Sequence, residues 1–295
     1  MATRSLLRDS SMLAGNDAFR SAPGSGYWGM GSDTNTIDYA NFATESASRL
    51  IATSHSGKAG AGASDSLTKG YFFGGFSGCC SMLSTVTKLT FSTQTTSGVT
   101  GMSTATYGKQ AMESSVAAYA TGGDNAGSYP NGVDKYTFSN DSRSTLAAGH
   151  GLGSTGNGGG FSSASSGYIT AGLADSTVIR KIDFSTGSIS TTTSLLTSTL
   201  DKSVHAFESP SHGYIGIGEA AFNKFNLSDD TISALAFSPH AGTNAADSAV
   251  DEYTAYSNRS DSTNGSKMVF ATDTYSTVTG MFVSQKSLPS AFNGA

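Results

Sequence analysis

Five lysines stand at one fixed spacing from a hydrophobic residue three places further on. They are Lys88 in KLTFST (88–93), Lys135 in KYTFSN (135–140), Lys181 in KIDFST (181–186), Lys224 in KFNLSD (224–229) and Lys267 in KMVFAT (267–272), half of the ten lysines of the chain. On a strand, residues three apart point to opposite sides, so each ammonium faces away from its Phe or Leu. Two chemistries follow. Lysines equivalent around a ring form a cationic site for an anion or an acidic partner surface. Alternatively, each stem packs along a neighbouring element while the ammonium reaches water or a carbonyl, or keeps a sheet edge from pairing. Five equivalents favour the second reading, because a feature that recurs in every unit belongs to how the unit is built.

The remaining reactive types do not assemble into a site. His55, His150, His205, His212 and His240 are scattered, with no pair at metal-ligand spacing. Cys79 and Cys80 are adjacent, which rules out a disulfide framework, and two thiols do not make a zinc site. They read as small buried or turn residues, with a reactive or metal-binding pair as the alternative. GSGYWG (24–29) and GLGSTG (151–156) match G-x-G-x-x-G, but neither opens a helix within a βαβ unit, so the anion-holding geometry is missing. G-x-S-x-G and H-E-x-x-H do not occur. The pairs Asp229-Asp230 and Asp251-Glu252, and the segments 124–134 (DNAGSYPNGVD) and 257–266 (SNRSDSTNGS), read as Asx-type turns, with calcium or a sugar hydroxyl as the alternative ligand. No catalytic, cofactor-binding or metal-ligating residue is assigned, no cofactor is expected, and the chain is expected not to be an enzyme.

The elements that position the lysines are repeats. A small residue precedes an aromatic at Gly26-Tyr27, Gly70-Tyr71, Ala118-Tyr119, Gly167-Tyr168 and Gly213-Tyr214, and more weakly at Glu252-Tyr253. The tyrosines are 44, 48, 49, 46 and 39 residues apart. The hydrophobic anchors Phe42, Phe91, Phe138, Phe184, Leu227 and Phe270 follow with intervals of 49, 47, 46, 43 and 43; the first lies in YANFAT (39–44), where Tyr39 takes the lysine's place. Residues 166–187 show the unit most clearly: a short apolar run from Tyr168, a polar break, then alternation through Val178, Arg180, Ile182 and Phe184, which reads as a β-hairpin. A leading strand precedes it, as in Ala206–Pro210 before Gly213, and a Thr-rich fourth strand follows, as in 188–199 and 231–237. Four short strands in about 45 residues make one propeller blade. The expectation is an all-β, six-bladed β-propeller with four-stranded blades over residues 15–288, an N-terminal arm at 1–14 and a C-terminal tail at 289–295. Leading strand 16–21 and final strand 276–284 together predict blades of contiguous chain, with closure by packing of blade one on blade six.

The Gly-Tyr, Gly-Gly and aromatic-Ser-Thr pattern resembles the kelch type of blade. The form STVTKLTFST (84–93) is similar to repeats of structural proteins of bacteriophages, particularly those of marine and cyanobacterial hosts. Paired glycines survive only in repeats two and three, and the tryptophan usual near the end of a kelch blade is absent, since Trp28 is the only one. The resemblance implies a virion structural protein in a tail, fibre or capsid surface, in a multi-copy assembly, with other virion proteins as partners. Arg4, Leu6, Leu7 and Arg8 are the expected arm contacts. The alternative is a carbohydrate-binding, receptor-binding propeller, phage-borne or secreted, with Trp28 and Tyr129 as sugar-stacking candidates.

Composition agrees. The charged fraction is 13%, about half the usual share, and Ser, Thr and Gly fill the positions where Lys and Glu are customary. A net charge of −5 without basic blocks argues against a nucleic-acid groove or a polybasic membrane contact. No stretch reads as a secretory signal or a membrane helix, so an extracellular particle is reached without a signal peptide.

Overall fold

The computed structural model describes residues 24–29, 34–57, 60–64, 67–77, 81–152, 158–170, 177–194, 196, 204–217, 221–235, 248–258, 265–279 and 290–294. Among them there is no helix. Six sheets of four antiparallel strands form a β-propeller. From the axis outward, blade one is Ser290–Gly294, Ser25–Gly29, Thr34–Asn41 and Ser46–Gly57. Blade two is Ala61–Ser64, Lys69–Phe73, Val86–Thr90 and Thr95–Val99; blade three is Tyr107–Glu113, Ala117–Asp124, Val133–Thr137 and Ser142–Thr145. Blade four is Gly160–Ser162, Ser166–Thr170, Ile179–Asp183 and Ile189–Thr191. Blade five is Val204–Glu208, His212–Ile217, Ala221–Asn226 and Ile232–Leu235, and blade six is Ser248–Val250, Thr254–Asn258, Gly265–Val269 and Thr274–Val278. The innermost strands touch one another in sequence around the ring.

Burial follows position in the blade. Second strands such as Ser166–Thr170 and Ala117–Asp124 are buried throughout, because both faces of a blade are covered by neighbours. This is why Ile179 and Ile182, on opposite faces of one strand, are both inaccessible. Outer strands such as Thr95–Val99 are largely exposed, which explains their Thr and Ser content: β-forming residues that tolerate water.

One turn recurs between first and second strands. Ser114, Ser163, Ser209 and Asp251 each cap it with a side-chain oxygen that accepts from the backbone N–H three residues on. The anchor residue then ties the hairpins together. The N–H groups of Phe91, Phe138, Phe184, Leu227 and Phe270 donate to carbonyls of this turn in their own blades, and in blade one Phe42 donates to the Gly24 carbonyl just before the second strand.

Closure differs from expectation. Ser290–Gly294 pairs antiparallel with Ser25–Gly29, with Tyr27 opposite Phe292, and supplies the innermost strand of blade one. Most of the expected C-terminal tail is therefore sheet, and the ring is joined by a strand exchanged between the chain ends rather than by packing alone. The physical reason is that the edge of Ser25–Gly29 needs backbone partners, and a returning strand satisfies them. The expected leading strand at 16–21 and the arm at 1–14 lie outside the described residues.

The sixth aromatic marker is also corrected. Tyr253 sits in a turn and is 66% exposed, whereas Tyr256 is 2% exposed and occupies the repeat position opposite Lys267. Ala255-Tyr256 is thus the small-aromatic pair of blade six.

Candidate functional site

The repeated residues meet at the junctions between blades. On each second strand the tyrosine faces the following blade. Tyr27 stacks on Phe91, Tyr71 on Phe138, Tyr119 on Phe184, Tyr214 on Phe270 and Tyr256 on Phe42, with ring centroids 4.6–5.9 Å apart and planes within 17° of parallel. Tyr168 meets Leu227 instead. The preceding small residue faces the blade before. A Cβ on Gly213 would come within 2.3 Å of the Phe161 ring, and one on Gly167 within 2.8 Å of the Met112 sulfur. The two halves of the marker therefore serve opposite interfaces.

The lysines stand directly across from these tyrosines: Tyr71 opposite Lys88, Tyr119 opposite Lys135, Tyr168 opposite Lys181, Tyr214 opposite Lys224 and Tyr256 opposite Lys267. At four junctions the ammonium and the phenol grip one carboxylate of the next blade. Lys88 lies 2.6 Å from Asp141, Lys181 3.0 Å from Asp230 and Lys224 2.8 Å from Asp273; Lys267 pairs with Glu45. The hydroxyls of Tyr71, Tyr168, Tyr214 and Tyr256 donate to the same four carboxylates. Asp141 also receives Lys69 at 2.8 Å.

Each acceptor is the third residue after an anchor and holds a positive φ: Glu45 at 50°, Asp141 at 57°, Asp230 at 59° and Asp273 at 51°. Asp is among the few residues that tolerate this left-handed geometry, and it aims the carboxylate back across the junction. Burial pushes the Asp141 carboxyl up, but hydrogen bonds from Lys69, Lys88 and Tyr71 outweigh it and bring it down to about 2. The Lys267 hydrogen bond holds Glu45 below the usual carboxylate range despite partial burial. The lysine pattern thus builds sockets between blades.

The fifth and sixth junctions depart from this. Blade one has Tyr39 in the lysine position, and blade two has Gln94 in the acceptor position, also at a φ of 50°. Donor and acceptor are lost together. Between blades three and four Lys135 is present, but the acceptor position is Gly187, at a φ of 70°. The neighbouring acid, Asp183, is turned away: it accepts from Ser185 and Thr186 within its own turn.

A second cation is unusual. Lys109, on the innermost strand of blade three, is 9% exposed and donates only a long 3.4 Å hydrogen bond to the Gly122 carbonyl. Burial pushes its ammonium down to about 8, although the Asp134 charge opposes the shift. Its partner-poor setting was not legible in the sequence, where GKQ carries no signal.

The other candidates resolve into structure. Trp28 is wholly buried, which removes it as a sugar platform, while Tyr129 is half-buried. His150 is buried between the Pro130 carbonyl and the Leu152 N–H, and His212 meets Ser211. GSGYWG is strand Ser25–Gly29, led into by Gly24, and not a phosphate loop. Asp124 caps its own loop through the Gly127 N–H and accepts from the Tyr107 hydroxyl. Asp229 accepts from the Thr231 N–H and hydroxyl, and Asp251 from Tyr253 and Thr254. Among the described residues no three His, Cys, Asp or Glu side chains group as a metal site. Cys79, Cys80, His240 and residues 153–157 lie outside the described residues, as do the side chains of His55 and His205.

Fold and junctions together define a six-bladed β-propeller of four-stranded blades, joined by stacked aromatics and buttressed by lysine–carboxylate sockets. No family model matches the sequence, and no curated protein matches it.

Proposed function

We propose that this propeller is a non-enzymatic scaffold for protein–protein contacts, working as a structural component of a phage particle in its tail, a fibre or the capsid surface. The observation that carries the scaffold reading is the use of the repeated ionisable residues: four of the five repeated lysines bind carboxylates of adjoining blades. Charge used this way stiffens a disc. The antiparallel order starts every third strand at one end of that disc, and the sequence between second and third strands runs from three residues in blade five (218–220) to twelve in blade two (74–85). A rigid body with variable loops on one end suits recognition of a partner surface. The particle itself is suggested by the Lys-x-x-Phe-Ser-Thr repeats, which resemble those of phage structural proteins, and by the Ser/Thr/Gly-rich, sparsely charged composition.

In this reading residues 1–14 dock on a neighbouring virion subunit through Arg4, Leu6, Leu7 and Arg8. The test is mass spectrometry of gradient-purified particles from the source virus, with immunogold labelling by antibodies to the recombinant propeller. Labelling of a tail, fibre or capsid is the expected result. Absence from intact particles overturns the virion assignment. Incorporation of a chain lacking residues 1–14 at the normal level overturns the role of the arm.

A further inference from the structure

We propose that the junction between blades three and four is an open carboxylate socket that takes an acidic side chain of another protein. At four junctions the same pair of donors, a lysine ammonium and a tyrosine hydroxyl from facing positions of two strands, holds a carboxylate supplied by the next blade. Where the lysine is replaced, by Tyr39, the acid is replaced too, by Gln94.

Only between blades three and four is the donor pair kept and the acid absent from the acceptor position. Lys135 faces Tyr119 with its ammonium 5.7 Å from the ring centre, close to the 5.4–5.7 Å of Lys181, Lys224 and Lys267 over theirs. Tyr119 stacks on Phe184 at 4.7 Å, as its counterparts stack on theirs. The donors are therefore set as in the filled sockets. Opposite them, Gly187 keeps the left-handed backbone of the acceptor position but has no side chain, and a Cβ there would meet nothing closer than Leu146 at 3.4 Å. Among the described residues Lys135 has no carboxylate partner.

The chemistry this selects is a single carboxylate approaching from outside, able to accept from an ammonium and a phenol at once. Gly187 lies in a third-to-fourth-strand turn, so the opening is at the end of the disc that carries the hairpin turns, flanked by exposed Ser185, Thr186 and Ser188. An Asp or Glu protruding from a partner surface fits this opening. The proposal is independent of whether the protein belongs to a virion.

The experiment is an NMR titration of the full chain carrying 13Cε-labelled lysine. The Lys135 signal is assigned by Lys135→Gln. The probes are acetate and an N-acetylated peptide with a single Glu, its C-terminus amidated or free, against chloride at matched ionic strength. A saturable shift of the Lys135 signal by acetate and by the amidated peptide, but not by chloride, is expected. Gly187→Asp, which supplies the carboxylate internally, weakens this binding about tenfold or more, and Tyr119→Phe weakens it roughly threefold. A Lys135 response equal for acetate and chloride, or one undiminished in Gly187→Asp, overturns the proposal. If Gly187→Asp does not fold, Tyr119→Phe decides alone: unchanged affinity overturns it. A response to the free-ended peptide without one to the amidated peptide also overturns it, because the socket would then take chain termini and not acidic side chains.

Discussion

Lys267 of blade six donates to Glu45 of blade one across a sequence separation of 222 residues. The same junction stacks Phe42 on Tyr256, centroids 4.6 Å apart, and lies beside the strand Ser290–Gly294 that the C-terminus adds to blade one. The ring is thus closed by three devices of different physical kind: a charge pair, an aromatic stack and a backbone ladder. Their separate contributions are measurable.

The charge pair is partly shielded, with the two side chains 26% and 37% exposed, so it exceeds a fully solvated pair in value but stays modest. Lys267→Gln and Glu45→Gln are each expected to destabilise the fold by about 1–2 kcal/mol, and the double variant by less than their sum. Urea unfolding of the four proteins of the cycle checks this. Strict additivity means that the two residues do not interact.

Deleting residues 289–295 leaves the inner edge of Ser25–Gly29 without backbone partners. A fall in Tm of roughly 10 °C and a broader calorimetric transition are expected, larger than for any single socket variant. Adding the segment back as a peptide restores part of the loss by mass action. An unchanged transition is incompatible with the exchanged strand.

Acid weakens the sockets. The Asp141 carboxyl is held at about 2 against an ordinary 3.8, and Glu45 also lies below its ordinary value. A carboxylate depressed in the folded state gives stability that is complete above its unfolded pKa and lost as pH falls through its folded value. Stability is therefore expected to decline from about pH 4 towards pH 2. Asp141→Asn lowers stability at pH 7 and flattens this decline; a slope identical to the parent protein's refutes the assignment to Asp141.

Gly213 packs against the Phe161 ring of blade four with no room for a methyl group. Gly213→Ala forces that ring off its rotamer or the blades apart and is expected to cost about 1–3 kcal/mol. Thermal unfolding gives the number. Gly98→Ala, at an open position of an outer strand, serves as the neutral control.

Lys109 is a buried cation with one long hydrogen bond. Burial lowers it to about 8 from an ordinary 10.5, so between those values the unfolded chain binds more protons and stability rises with pH. Lys109→Met, similar in volume, is expected to raise Tm at pH 7, and its advantage shrinks as pH rises from 8 towards 10.5. A constant difference across that range contradicts the depressed ammonium.

Much of this was legible in the chain because a propeller repeats its solution. Tyr71, Lys88 and Phe91 recur as Tyr214, Lys224 and Leu227 in the same order, and such spacing implies one blade per repeat. Leu227 stands where the other repeats carry phenylalanine, and it takes the same place against the tyrosine of the blade before, Tyr168. The acceptors were also in the sequence, three residues after each anchor, with Gln94 matching the loss of lysine at Tyr39. They were missed because a turn aspartate ordinarily caps its own backbone, as Asp183 does.

The sequence by itself determined the number of blades, their four-stranded plan and the residues that repeat, since these follow from local alternation and period. Only the tertiary structure decided which blade each residue serves. Lys224 meets Asp273 of blade six and not Asp230 of its own blade five, because a twisted blade turns one face of each strand to the following neighbour. It also decided that Tyr256 rather than Tyr253 completes the ring, that the C-terminal strand closes it, and that Lys135 alone of the five lysines faces a glycine.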